Sequence, residues 1–473
     1  MAQINSKSLL NNSGLIWQLA TYIILLFVIV YIGLSLYKGH INMDSYYYIG
    51  VSRLIMEGKI PFIDFPPGYT PLSFYLMCIP FTVFGVSFQV AMVTLYIVHA
   101  FNAFLVFIIC CQNTANKWQP AFFALLSFLL CLNCNGDCYV LEPFVLLFGL
   151  MGLVVLKKES AVRLVLSGFL CFCAFWSKQY GLGFICLTMV QVCLTNTFGM
   201  GLIRKLLYLM VGFIGGMLFF VSLFLLQGVD PLQMLSLSGS DYKRDGMQGL
   251  MDAWRTLFIV LPFLIVPIAL LVSKVFKLRQ NPLLFVSFCG VFGFMLQCYV
   301  RFYAHYLILV MPFCALLLFA GINSIRSLRY QRIYVVLMLI SPVIPLYFNI
   351  KSDLSLYASQ EKTVQMASAE SIKALIPEGA KDVFTSSDMH SVMLLNTYNP
   401  PMIQKYGLSN GFVTDSTDVS EMIHKASYCI ISEQGLASEQ FSTEAREYLS
   451  TAFDVTEFSG GENVGVYYVY VKR

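Results

Sequence analysis

Runs of roughly 18–25 apolar residues recur along this chain to about position 349, each long enough to cross a hydrocarbon core of about 30 Å. Hydrophobic residues make up 58% of the 473 positions and charged residues 12%, against about 25% charged in an ordinary soluble domain. The chain therefore reads as a mainly α, polytopic membrane protein. Its first apolar run, 15–36, is too long for the core of a cleaved signal and lacks a small-residue cleavage pattern, so it reads as a retained anchor.

Hydropathy places spans near 15–36, 88–111, 118–134, 138–156, 163–177, 181–198, 205–226, 256–273, 282–300, 305–321 and 332–349. The segment 71–86 is apolar but short and broken by Pro80. Charge decides its status. If 71–86 does not cross and the N-terminus is cytoplasmic, then Lys117, Lys157/Lys158/Arg163, Arg204/Lys205, Lys274/Lys277/Arg279 and Arg326/Arg329/Arg332 all fall inside. That arrangement obeys the positive-inside bias, and a crossing by 71–86 would invert every cluster. The expectation is about eleven transmembrane helices, an interfacial or re-entrant helix at 71–86, and an external C-terminus. Of the ten acids in 1–352, Glu159 alone is then cytoplasmic.

The chain changes character near residue 353. From there to the end it holds 16 acids and 8 bases, leaving 22 bases and 10 acids in 1–352. "SAESIKALIPEGAKDVFTSSD" reads as helix, turn and strand, "ASYCIISE" as a strand, "STEAREYLSTAF" as a helix and "NVGVYYVYVKR" as a last strand. The expected organisation is a transmembrane domain, 1–352, with a first external loop at 37–87, and a small extracytoplasmic α/β domain, 353–473. The latter contains no glycine-rich nucleotide motif. Fourteen cysteines lie mostly within apolar runs, where cysteine behaves as a small hydrophobe. Cys131, Cys134 and Cys138 are open to packing or a disulfide, and lack the neighbours of a zinc site.

The first loop is the richest stretch. Asp44 opens "MDSYYYIGVSRLIMEGKIPF", where an acid suits a helix N-terminus as cap and against the dipole. Pro66, Pro67 and Pro71 then exclude regular helix from "IPFIDFPPGYTPL", so the segment must wrap stiffly and could hold Asp64 near Asp44.

Asp44–Tyr48, then Gly58-Lys59-Ile60-Pro61-Phe62-Ile63-Asp64-Phe65, then Thr70-Pro71-Leu72-Ser73-Phe74-Tyr75-Leu76, resembles the GT-C glycosyltransferases. The subgroup is that of the dolichyl-phosphate-mannose protein mannosyltransferases and bacterial aminoarabinose transferases. "FWSKQYGLGF" (Phe175–Phe184) and "RFYAHYLILVMPF" (Arg301–Phe313) continue the likeness, which covers about 1–350. The resemblance implies a membrane transferase that takes a sugar from a polyprenyl-phosphate donor on the extracytoplasmic face. The acceptor would be a lipid, glycan or protein, the catalytic carboxylate Asp44 and the outcome inversion. Two departures stand out. Ser45 occupies a position where many relatives carry a second acid, and "GYTPL" lacks a lysine that some relatives place there.

Lys178, beside Trp176 at the external end of a span, suits phosphate contact or snorkelling. Arg301 and His305, four apart, would share one helical face. Arg301 suits bidentate phosphate binding, and His305 suits phosphate, sugar or membrane-surface anchoring. Asp64 and Glu142 are supporting acids, with Glu142 also explicable as a helix-start residue. Tyr46, Tyr69 and Tyr306 are candidate pocket aromatics. Asp241, Lys243, Arg244 and Asp245 read as a solvated hinge or as part of a lipid gate. A divalent cation is compatible with the pattern, no organic cofactor is expected, and membrane lipids rather than nucleic acid are the surroundings. The implied location is a bacterial cytoplasmic membrane. Alternatives are a surface-polysaccharide polymerase or ligase, which would place its key residues in a late external loop, and a flippase or transporter, which would show inverted repeats and mid-membrane charges.

Overall fold

The computed structural model describes residues 43–64, 67–114, 119–136, 138–157, 159–230, 246–257, 281–300, 302–322, 423–437, 441–459 and 466–473, with shorter stretches and single positions elsewhere between 22 and 420. The first span, 15–36, apart from Tyr22, Leu25 and Leu26, lies outside the described residues, as do the loop residues Asp241–Asp245, Arg301 and the side chains of Asp44 and Tyr46.

Helix α1 spans Met43–Met56 and α2 spans Leu72–Phe84. At 13 residues α2 is about 20 Å long, shorter than a hydrocarbon core of about 30 Å. Its Ile79, Val83 and Phe84 are exposed while Phe74, Met77 and Phe81 are buried. One face of the helix is therefore packed and the other is not. Four helices among the described residues are long and apolar enough to span a bilayer: Gln89–Cys111, Met200–Leu226, Pro282–Val300 and Ala304–Ile322. The protein is a multi-pass membrane protein. The apolar helices α4 (Gln119–Cys131), α5 (Glu142–Val155), α6 (Ala161–Ser177) and α7 (Leu182–Thr195) are shorter.

Helix α3 spans Phe88–Cys111, α8 spans Met200–Leu226 and α9 spans Gly246–Thr256. Helices α10 (Pro282–Met295) and α11 (Gln297–Val300) divide one expected span, and a 3₁₀ turn, Ala304–Leu309, leads into α12 (Met311–Ile322). All twelve residues of α12 are buried, as a helix apolar on every side must be. Helix α8 is the opposite case, with Leu207, Val211, Ile214, Leu218 and Phe219 exposed. Its inner face meets α6 at glycines: a Cβ on Gly212 would sit 1.9 Å from the Val165 carbonyl oxygen, and one on Gly168 equally close to that of Leu209. Without a hydrophobic drive between helices in lipid, small residues set such close approaches.

The ends of α5 to α8 sort into two layers. At one end Glu159 accepts hydrogen bonds from Thr195, from Asn196 at 2.8 Å and from Lys205 at 2.5 Å. At the other end lie Glu142 and Lys178. The basic residues Lys157, Arg163, Arg204 and Lys205 therefore share the Glu159 end, consistent with the charge sorting expected from sequence.

Nearer the C-terminus, strands β1 (Val383–Thr385), β2 (Tyr428–Ser432), β3 (Phe453–Ser459) and β4 (Val466–Lys472) form a sheet ordered β1-β2-β4-β3. β1 and β2 are parallel, and the remaining pairs are antiparallel. Successive residues of β2 point to opposite faces. Cys429 and Ile431 pack with Phe441, Leu449 and Phe453, whereas Ile430 packs with Val383, Val469 and Ile376. Strands β1, β2 and β4 and the helix Thr443–Ala452 coincide with the sequence expectations. Strand β3 is additional to them, because that helix runs into it with no turn residue between Ala452 and Phe453.

Candidate functional site

Helix α6 stops at Lys178, whose backbone is extended (φ −164°, ψ 143°). The chain then doubles through a 3₁₀ turn, Gln179–Gly181, tight enough that a Cβ on Gly181 would lie 2.1 Å from the Ala174 carbonyl oxygen. The turn directs Lys178 inward. Its Nζ donates to Glu142 Oε1 at 2.5 Å, and neither side chain is exposed. Glu142 is set by the start of α5, with Pro143 in its first turn. Pro143 is held through its carbonyl, which accepts from Asn102 Nδ2 at 2.8 Å. His305 Nε2 lies 3.8 Å from the same Glu142 oxygen. Glu142 Oε2 is buried and has no hydrogen-bond partner among the described residues.

Tyrosines surround this charge cluster. The ring centres of Tyr69, Tyr306 and Tyr180 lie 4.5, 4.8 and 5.6 Å from Lys178 Nζ. Each ring face attracts the ammonium, most strongly where water is excluded. Tyr180 and Tyr306 also meet edge to face at 5.0 Å, a favoured aromatic geometry.

The first loop is fixed to this cluster by hydroxyls. Thr70 Oγ1 donates to the Phe175 carbonyl at 2.9 Å, and Ser73 Oγ to the Ser177 carbonyl at 3.1 Å. These carbonyls belong to the last turn of α6, where four acceptors lack partners within the helix. The loop therefore caps the helix that presents Lys178. Tyr69 in turn touches Tyr48 of α1, with ring centres 5.9 Å apart, and Tyr48 meets Tyr139 at 6.2 Å. Asp44 lies in the first turn of α1, one turn before Tyr48. The helix carrying Asp44 is thus joined through Tyr48 and Tyr69 to the Lys178–Glu142 pair.

Asp64 is exposed, and its Oδ2 accepts from the Ile60 backbone N–H at 2.6 Å. It closes the turn that also holds Phe62 at a positive φ of 73°, so it shapes the loop. The expectation that Arg301 and His305 share a helical face is corrected. Helix α11 ends at Val300, Tyr303 is extended (φ −134°, ψ 143°), and His305 belongs to the 3₁₀ turn that begins at Ala304. That turn is braced from behind, where Gln297 Nε2 donates to the Tyr306 carbonyl at 3.0 Å and Cys131 Sγ lies 3.9 Å from that of Ile308. Cys131, Cys134 and Cys138 are buried free thiols, and a single π-helical turn, Leu132–Gly136, carries Cys134. Among the described residues no group of three His, Cys, Asp or Glu side chains could hold a metal ion.

Sequence reasoning does not single out Tyr180, Thr70 or Ser73, nor the pairing of Glu142 with Lys178. Thr70 and Ser73, two hydroxyls at the start of the largely apolar 70–86 segment, are the available signal for the latch. Nothing local relates residues 142 and 178.

No protein-family model matches the chain, and no curated protein does. Solved structures do. The chain resembles ArnT from Cupriavidus metallidurans bound to undecaprenyl phosphate, with a TM-score of 0.62 and 12% identity over 97% of this chain and 98% of that one. It resembles the apo oligosaccharyltransferase of Archaeoglobus fulgidus with a TM-score of 0.55 and 11% identity, over 97% of this chain and 74% of that one. The archaeal oligosaccharyltransferase AglB in complex with an inhibitory peptide and a dolichol-phosphate gives 0.51 and 11% over the same shares. The chain shares the overall fold of these structures.

Proposed function

We propose that the protein is an integral-membrane glycosyltransferase that moves a sugar from a polyprenyl-phosphate donor to a lipid, glycan or protein acceptor. The observation that carries this reading is the buried Lys178–Glu142–His305 cluster beneath Tyr69 of the first loop, within a fold shared with ArnT and AglB. Solved structures of that fold hold undecaprenyl phosphate in one case and dolichol-phosphate in another.

In this reading Asp44 is the base. An acceptor hydroxyl attacks the anomeric carbon as its proton passes to the Asp44 carboxylate. A new C–O bond forms on one face while the bond to the phosphate oxygen breaks on the other. That oxygen leaves with its electron pair as polyprenyl phosphate, and the anomeric centre inverts. The transition state has oxocarbenium character, and one positioned carboxylate suffices for a single displacement. Positive charge must meet the departing phosphate, and Lys178, Arg301 and His305 are the residues assigned to it. Tyr46, Tyr69 and Tyr306 are the aromatics assigned to the sugar, and Asp64 shapes the loop. The acids of the first loop and the 353–473 segment face the extracytoplasmic side of a bacterial cytoplasmic membrane.

Mass spectrometry of lipid-linked sugars tests the reading. Cells lacking the protein should accumulate one polyprenyl-phosphate sugar, and restoring the gene should deplete it. An unchanged lipid profile would reject the donor class.

A further inference from the structure

The Lys178 ammonium has no open face. Glu142 Oε1 lies 2.5 Å away, three tyrosine rings lie within 5.6 Å, and the side chain is inaccessible. A phosphate that reaches Lys178 must take it from Glu142. We propose that Glu142 is a resident anion that competes with the lipid phosphate for Lys178, holding the ammonium in the empty site and hastening departure of the spent carrier. The inference rests on the donor class proposed above.

Charge explains the need. A glycosyl phosphodiester carries one negative charge, whereas the released phosphomonoester carries about 1.5–2 near pH 7. Coulomb attraction grows with charge and strengthens where water is excluded. An unopposed buried ammonium would therefore hold the product more tightly than the donor, and product release would limit turnover. A carboxylate fixed beside the ammonium reverses part of that bias.

The geometry also provides for Glu142 while the phosphate is bound. His305 Nε2 lies 3.8 Å from Oε1, so a second cation-forming group remains beside the carboxylate. Oε2 has spare acceptor capacity in the same buried space. The 3₁₀ turn that carries His305 is held by Gln297 and is not required to move.

A purely structural Glu142, one that merely aims Lys178 at the phosphate, has the opposite consequence. Removing its charge would then weaken phosphate binding. The test is titration of the purified full-length protein in detergent with undecaprenyl phosphate. Glu142→Gln should bind about tenfold or more tightly than wild type, the size of one charge-assisted hydrogen bond no longer lost to a competitor. Glu142→Asp, which keeps the charge but withdraws it by one methylene, should bind more tightly by a smaller factor, and it carries the test where the glutamine variant unfolds. Lys178→Met should lose binding, with or without Glu142→Gln. Equal or weaker binding by both Glu142 variants would overturn the inference while leaving the donor class intact. Absence of binding by wild type and every variant would overturn both.

Discussion

Lys178 Nζ and Glu142 Oε1 lie 2.5 Å apart in a place solvent does not reach, although 36 residues separate them in the chain. Their pairing ties the start of α5 to the end of α6. Taking both charges from water carries a penalty of several kcal/mol per ion, and their attraction offsets it only while both are present. Lys178→Met alone should therefore destabilise the protein by about 3–5 kcal/mol. Lys178→Met combined with Glu142→Met should recover at least half of that loss. Unfolding in detergent reads both, and additive losses would show that the pair is not coupled.

The loop latch gives a second expectation. Thr70→Val and Ser73→Ala each remove one hydrogen bond to the last turn of α6, worth about 1 kcal/mol. Stability should fall by about that much in each variant. Turnover should fall further, because Tyr69 loses its fixed position over Lys178. Equal proportional losses in an unrelated surface variant would show that the latch does not position Tyr69.

Much of this is legible in the sequence, for physical reasons. Apolar runs report helices in lipid directly, so α3, α8 and α12 fall where hydropathy puts them. The proline-broken 71–86 segment is a short helix, Leu72–Phe84. Asp44 opens α1, and Glu142 and Lys178 stand at the helix ends expected of them. The pairing of those two residues is not legible, since contact between helix ends depends on how α5 packs on α6. The helical face expected for Arg301 and His305 fails for a related reason. Apolar runs do not report where helices break, so hydropathy shows spans at 282–300 and 305–321 where the chain forms α10 and α11, then an extended Tyr303 and a 3₁₀ turn before α12.

At the opposite end of the bundle, burial alone would raise the Glu159 carboxyl. Hydrogen bonds from Lys205, Thr195 and Asn196 outweigh it and hold the group below its ordinary value of 4.5. A depressed carboxylate stabilises the fold fully above its unfolded pKa, and the contribution is lost as pH falls through the folded one. Wild type should therefore lose stability below about pH 4.5 more steeply than Glu159→Gln. Parallel pH–melting curves for the two proteins would exclude the network as their source.

Two glycines of α8 make a matched pair. Gly212→Ala forces a methyl against the Val165 carbonyl and should cost about 1–3 kcal/mol. Gly215, three residues on, has nothing within 4 Å of the position an added methyl would take, so Gly215→Ala should be neutral or stabilise by up to about 1 kcal/mol. Melting temperatures in the same detergent compare them directly, and equal losses would contradict the α6–α8 packing.

Asp44, as the base of a sugar transfer at the cluster formed by Lys178, Glu142 and the first-loop tyrosines, is tested most directly in cells. Cells lacking the protein should be complemented with wild type or Asp44→Asn at matched membrane levels and melting temperatures, and their polyprenyl-phosphate sugars measured by mass spectrometry. With Asp44 as the base, wild type depletes the accumulated lipid and Asp44→Asn leaves it at the level of the deletion. Depletion by Asp44→Asn equal to wild type would contradict that role.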